Sequence, residues 1–210
     1  MKNVGSIPEA EINGGSPVED VVRLMVSFLK WRFSKLPAGA YHYDLTDGAE
    51  SNSEIYIGSE TPLETERIGK RPALTVLRAP AAFAGIGLGN LAYVDLYTGA
   101  EVYMDLLPTT ITIASLSSVP VVSERLAWFV STQIRSLWKM ITKKSDGLIL
   151  SMGQQISISP ISPAGALVND PTGDWTTVTI GIPVYLQHSV SRMPLNQITF
   201  EDFNLNMRSR

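Results

Sequence analysis

One long amphipathic segment, lying between stretches that alternate like β-strands, constrains the fold of this chain most. The segment is SERLAWFVSTQIRSLWKMITKK, which begins at Ser123. Its apolar residues recur at intervals of three or four, the period of one helical face; they are Leu126, Val130, Ile134, Leu137 and Ile141. Lys143 and Lys144 lie in the last turn, where cations interact favourably with the helix dipole. A helix with one apolar stripe needs an apolar surface to cover, and we expect a sheet.

A second helix is predicted near the N-terminus. Ser16, Pro17 and Glu19 form a capping-box start, and Pro37 ends the helix near Leu36. The apolar stripe of this helix consists of Val18, Val21, Val22, Met25, Phe28 and Leu29.

Period-2 alternation predicts strands in most of the remaining chain. The strand candidates are EIYIG, RPALTVLRAP, LAYVDLY, EVYMDLL, TTITIAS, QQISIS and TTVTIGIPVYLQH. Thr98, Gly99 and Ala100 separate two of them and indicate a hairpin. Pro183 lies inside the last candidate, and because proline cannot donate to a strand ladder, we expect an edge strand or a bulge there.

Antiparallel strands with one apolar face favour a helix layer on that face. The prediction is therefore an α+β fold, a mostly antiparallel sheet with two helices packed on one face. We expect a flexible N-terminal arm over residues 1–15, a single α+β domain over residues 16–190, and an extended C-terminal arm over residues 191–210.

Composition excludes several functional classes for this sequence. A net charge of −3 and a pI near 5.4 argue against a surface that coats nucleic acid. The chain has no cysteine, which excludes disulfides, thiolate metal sites and cysteine nucleophiles. No apolar run approaches the roughly 18 residues needed to span a bilayer. We expect a soluble protein made inside the cell.

The sequence offers few groups for catalysis. Its two histidines, His42 and His188, have no partners at metal-ligand spacing. The acidic loop over residues 44–54 lacks the alternating oxygens of a calcium loop, and a solvated loop is favoured. GIGLGN, which begins at Gly85, has GxGxG spacing and precedes a strand, so a contact loop is favoured over a phosphate loop.

These patterns predict no catalytic, cofactor-binding or metal-binding residues, and no cofactor. The chain is expected not to be an enzyme. The alternative left open is a small hydrolase that uses carboxylates of the 44–54 loop.

Five stretches occur in a distinctive order along the chain: RPALTVLRAP, DLYTGAEVYMDLLPTTITIASLSS, SERLAWFVSTQIRSLWKMI, GQQISISPISPAGALV and VTIGIPVYLQH. The matching positions include Glu124, Arg125, Ala127, Trp128, Phe129 and Val130, then Ser162, Pro163, Ala164, Gly165, Leu167 and Val168, then Pro183 and Tyr185. In this order they resemble a group of tailed-phage connector proteins, the tail-terminator or tail-completion type of neck protein.

The resemblance implies a structural virion protein that is assembled in the host cytoplasm. Its partners would be copies of itself in a ring, usually a hexamer, together with the tail tube protein and the head–tail connector or adaptor proteins. The ring would terminate the tail tube, and genomic DNA would pass through its lumen without specific binding. A head-completion or adaptor ring of the connector is the alternative.

The resemblance also implies contacts between subunits, and a ring requires two different complementary patches. Trp128 and Trp138 lie off the helical stripe, so they pack against the other helix or against a neighbouring subunit. The candidate interface residues are Trp128, Trp138, Phe83, Ile86, Leu88, Leu167 and Val168.

Overall fold

The computed structural model describes residues 17–45, 53–78, 84–85, 91–94, 101–146, 148–152, 155–169 and 172–192. Over this part of the chain the α+β prediction is confirmed, because two long helices pack on a mostly antiparallel sheet. The predicted N-terminal arm, residues 1–15, lies outside the described residues, as do residues 193–210 of the predicted C-terminal arm 191–210. The first two residues of that C-terminal arm instead belong to the last strand, which continues past the predicted domain boundary at 190.

The helices are α1 (Pro17–Ser34), the single turn α2 (Thr65–Ile68) and α3 (Pro120–Lys144). The strands are β1 (Tyr56–Gly58), β2 (Leu63–Glu64), β3 (Ala73–Leu77), β4 (Ala84–Gly85), β5 (Leu91–Val94), β6 (Glu101–Ser117), β7 (Ile149–Met152), β8 (Ser157–Ile158), β9 (Ser162–Pro163), β10 (Val168–Asn169) and β11 (Thr176–Arg192). α3 begins three residues earlier than the sequence segment that predicted it, with Pro120 in its first turn, where a missing N–H costs nothing.

Two 17-residue strands, β6 and β11, form the centre of the sheet. They pair antiparallel over their whole length, from Thr176 opposite Ser117 to Arg192 opposite Glu101. β3 pairs with the other side of β6, and β1 pairs parallel with β3. The strand pairing of the predicted hairpin is confirmed, since β5 pairs antiparallel with the start of β6, and its turn at Thr98, Gly99 and Ala100 lies outside the described residues.

The prediction of an edge strand at Pro183 is wrong. β11 is not an edge strand, because β6 pairs with one side of it and β9, β8 and β7 pair in turn with the other side. The irregularity lies two residues later than Pro183, as a register shift between Tyr185 and Leu186. The missing N–H therefore does not prevent a central position for this strand.

The main core lies between the helix layer and one face of the sheet. Ile111 and Ile113 of β6 lie opposite Ile182 and Ile180 of β11, and all four side chains are buried. The predicted α3 stripe covers them with Leu126, Val130, Ile134 and Ile141 buried, whereas Leu137 is only partly buried. The predicted stripe of α1 joins the same core with Val21, Val22, Met25, Phe28 and Leu29.

A second, smaller core covers part of the opposite face of the sheet. Ala114 and Leu116 point away from the helices and pack in a cluster with Trp175. The other members come from distant segments of the chain: Tyr56, Leu63, Ile68, Ala73, Ala164 and Val168. Parallel pairing of β10 with β2 ties these segments together, so this end of the sheet is covered on both faces.

Candidate assembly surface

The outer side of α3 carries two large exposed aromatic side chains. Trp128 is 59% exposed and Trp138 is 37% exposed. α3 contacts α1 through Phe129 instead, whose ring meets the edge of the Phe33 ring at a centroid distance of 5.4 Å. Trp128 does not face α1, and it remains available to a neighbouring molecule.

Trp128 borders a groove between α3 and the strand segment that includes β8. The groove has a volume of about 400 Å³, and we call it the tryptophan groove. It is lined by Trp128, Ser131, Thr132, Arg135, Ile156 and Ile158. Its size is at the lower end of the range typical of binding pockets.

The polar groups of the tryptophan groove are partly used within α3. The hydroxyls of Ser131 and Thr132 both donate to the carbonyl oxygen of Trp128, each at 2.9 Å. Arg135 is the charged residue of the lining, and its guanidinium can serve a partner's acceptors. Aromatic residues and arginine are enriched at the centres of interfaces, and the tryptophan groove carries both.

Helical geometry explains why this flank of α3 is left open. Val121 and Trp128 are seven residues apart, which places them on one stripe at 3.6 residues per turn. Val121 is exposed like Trp128, and both lie on the side of the helix away from the buried Val130. α3 thus has a buried apolar stripe that packs on the sheet, and it also carries Val121 and Trp128 on its solvent-exposed side.

A second groove lies between α1 and α3, and we call it the inter-helix groove. Its volume is about 430 Å³, and it is lined by Leu24, Ser27, Phe28, Trp31, Met140, Ile141 and Lys144. Trp31 is 39% exposed there. The sequence prediction missed Trp31, although its position off the α1 stripe is the same signal that singled out Trp128.

The other candidate interface residues do not join these grooves. Val168 is 5% exposed and packs in the second core with Leu63, and its neighbour Leu167 is half-buried against the same cluster. That cluster lies on the face of the sheet opposite the helices. Burial gives Val168 a role inside this chain, whereas Phe83, Ile86 and Leu88 lie outside the described residues.

Glu54 holds the backbone segment that directly follows α1, residues 39–42. Its carboxylate accepts hydrogen bonds from the backbone N–H of Gly39 at 2.6 Å and of His42 at 3.0 Å. These bonds, with that of Gly39 as the larger cause, hold the pKa of Glu54 below its ordinary value. Nδ1 of His42 lies 2.7 Å from the carbonyl oxygen of Leu36. Glu54 and His42 therefore fix the backbone of residues 36–42, just after the end of α1.

The other polar residues that the sequence offered for a functional site are only partly described by the structure. Asp47 and Glu50 lie outside the described residues, as does the side chain of His188. Among the residues that the structure describes, no group of three or more His, Asp or Glu side chains is placed to hold a metal ion. The same part of the chain contains no helix long and apolar enough to cross a membrane.

No protein-family model matches this chain, and no curated protein matches it.

Proposed function

We propose that this chain is a structural virion protein that forms a ring at the neck of a tailed phage. The ring ends the tail tube and joins it to the head connector. Ring formation is supported by the exposed tryptophans of the helix layer. The place in the neck is supported by the order of the sequence stretches that resemble tail-terminator and tail-completion proteins.

The exposure of Trp128 is the observation that carries the assembly proposal. Burying the exposed part of this side chain in a partner contributes about 3 kcal/mol at 25 cal/mol per Å² of apolar surface. Tryptophan is also one of the residue types enriched at positions where truncation weakens an interface. Val119, Val121 and Trp128 are all exposed in or just before the first half of α3. Burial of this apolar surface against another protein would favour association.

A ring also requires a second surface that differs from the first. The β6–β11 ladder supplies one, because it continues past the helix layer. Ile149, which follows the end of α3, pairs with Leu186, and β11 then runs on to Arg192. Those six residues extend about 20 Å at the usual rise per residue of a strand. This end of β11 extends away from the tryptophan groove. It is the second surface in the proposed contact between successive subunits.

The terminator role follows from the way in which tail tubes grow. A tube lengthens by addition of identical rings, so termination needs a ring that binds the last one without offering the next growth surface. A stable contact buries about 800 Å² per partner. The acidic balance of the chain, with a net charge of −3, suits a lumen through which DNA slides without being held.

The proposal is tested by removing the gene product from the phage and imaging the particles. We expect filled heads without joined tails, together with tails of abnormal length. Tails of normal length already fixed to heads would contradict the terminator role and favour an adaptor ring. Light scattering of the purified protein provides the second test, because a monomer at high concentration would argue against any ring.

A further inference from the structure

The lining of the inter-helix groove is mostly apolar and includes one positively charged residue. Phe28, Trp31 and Met140 form its apolar walls, and Lys144 is its only charged lining residue among those the structure describes. Its volume of about 430 Å³ is large enough to accept several apolar side chains. An occupant of matching chemistry would carry aromatic or aliphatic groups with a negative charge beside them.

The chain itself contains such a segment. Residues 193–210 lie outside the described part, and their sequence is MPLNQITFEDFNLNMRSR. The portion ITFEDFNL, residues 198–205, has four apolar side chains around the acidic pair Glu201 and Asp202, and no lysine or arginine. Apolar groups flanking adjacent carboxylates complement apolar walls that end at a lysine.

We propose that residues 198–205 dock in the inter-helix groove of their own chain, with Glu201 or Asp202 beside Lys144. Phe200 and Phe203 fill the space between Phe28, Trp31 and Met140. This contact covers the exposed face of Trp31 and attaches the end of the chain to the helix layer. It does not depend on ring formation or on a role in the phage neck.

The length of the chain permits this return. The backbone N–H of Gln187 donates to the carbonyl oxygen of Leu148 at 2.9 Å, which places the end of α3 beside this level of β11. Arg192 lies five residues farther along the strand, about 17 Å away. The eight steps from Arg192 to Phe200 span about 27 Å when extended, which also allows for the thickness of the helix layer.

A short connection favours the same chain over a neighbour. Only residues 193–197 separate the end of β11 from the docking segment. A connection of this length gives an effective local concentration in the mM range, above that of a second molecule in dilute solution. Docking within one chain is therefore expected at concentrations at which the subunits are still separate.

Disulfide trapping in the full chain tests the proposal, because the native sequence has no cysteine to interfere. Ser27 is exposed and lines the inter-helix groove, so Ser27→Cys is combined with Asn204→Cys. The matched control combines Asn204→Cys with Ser136→Cys, at an exposed position of α3 that does not line the groove. We expect a monomer-sized cross-link that forms about tenfold faster in the first variant than in the control. Equal rates, or a first variant trapped mainly as a dimer, would overturn docking within one chain.

Charge exchange adds a second measurement on the same trapping variant. Lys144→Glu should slow cross-linking several-fold, and the further changes Glu201→Lys and Asp202→Lys should restore most of the rate. The same two changes made with Lys144 in place should slow cross-linking. Rates that do not respond to any of these changes would refute the position of the acidic pair beside Lys144.

Discussion

Nε of Arg32 on α1 donates a 2.7 Å hydrogen bond to Oε1 of Gln133 on α3. The two residues are 101 positions apart, and the contact is partly buried between the helices. The guanidinium of Arg32 also lies 5.6 Å from the centre of the Phe129 ring. One arginine thus fixes both the spacing and the relative rotation of the two long helices.

Arg32→Ala is the first predicted variant. It should lower the free energy of unfolding by about 2 kcal/mol, because a hydrogen bond to a charged donor and a cation–π contact are lost together. Urea denaturation with an unchanged m-value measures the loss. Arg23→Ala is the control, because the salt bridge of Arg23 with Glu19 is exposed and should contribute less than about 1 kcal/mol. Equal losses in the two variants would contradict a role for Arg32 in joining the helices.

Removal of two buried hydroxyl groups on neighbouring strands should change the free energy of unfolding in opposite directions. Oγ1 of Thr75 has no hydrogen-bond partner among the described residues, whereas Oγ of Ser115 donates to the carbonyl oxygen of Ser123 at 2.8 Å. Thr75→Val should raise the free energy of unfolding by about 1 kcal/mol, because a buried unpaired hydroxyl is removed.

Ser115→Ala should lower the free energy of unfolding by about 1 kcal/mol, because a bond that ties β6 to the start of α3 is lost. Thermal unfolding of both variants beside the native chain provides the comparison. A loss of stability in Thr75→Val as large as in Ser115→Ala would mean that the Thr75 hydroxyl is paired, for example with a buried water molecule.

The two long helices and the central strands β3, β6 and β11 could be predicted from the sequence because their periodicity is local, whereas α2 and several short strands were missed. Leu126, Val130, Ile134 and Ile141 are buried as their spacing indicates. The position of β11 in the sheet could not be predicted, since Pro183 removes one donor and does not reveal how many neighbours the strand has. The second core was equally hidden, because its members come from segments that only the folded chain brings together.

The candidate surface was partly predictable for the same reason. Position off an apolar stripe left two alternatives for Trp128, packing on the other helix or on a neighbouring subunit, and its exposure in the structure argues against the first. The same reasoning applied to α1 would have singled out Trp31. The grooves were not predictable, because each is formed by α3 together with a partner distant in sequence. Ile158 lies thirty positions from Trp128, and Trp31 lies more than a hundred from Met140.

Glu54 gives a prediction of pH dependence. Hydrogen bonds from Gly39 and His42 lower the pKa of its carboxyl in the folded chain, so Glu54 stabilises the fold only while ionised. This contribution is present above the ordinary glutamate pKa of about 4.3, and it is lost as the pH falls through the lowered value. Glu54→Gln should therefore be less stable than the native chain near neutral pH, and the difference should shrink in acid.

The measurement for Glu54 is urea denaturation from pH 7 down to pH 3, with Glu66→Gln as the control at an exposed carboxylate. A difference between the native chain and Glu54→Gln that stays constant across this range would show that the carboxylate is not the group that holds residues 39–42.

Trp128→Asp tests assembly separately from folding. The side chain is 59% exposed, and loss of its buried remainder should lower the free energy of unfolding of the isolated subunit by about 2 kcal/mol, which leaves the subunit folded. The hydroxyls of Ser131 and Thr132 bond to the carbonyl oxygen of residue 128 and are unaffected by the change. In the assembled state, however, an aspartate would replace the ring that we propose is buried, and a charge would enter an apolar contact.

We expect Trp128→Asp to weaken self-association by at least about 2 kcal/mol, or roughly 30-fold in Kd. Light scattering over a concentration series measures it, with thermal unfolding of the same samples as the folding check. Ser136→Asp is the control, because it adds the same charge at an exposed position of α3 outside the tryptophan groove. If both variants form assemblies of native mass at native concentrations, Trp128 is not part of the subunit interface. If only Ser136→Asp does, the tryptophan groove is where neighbouring subunits meet.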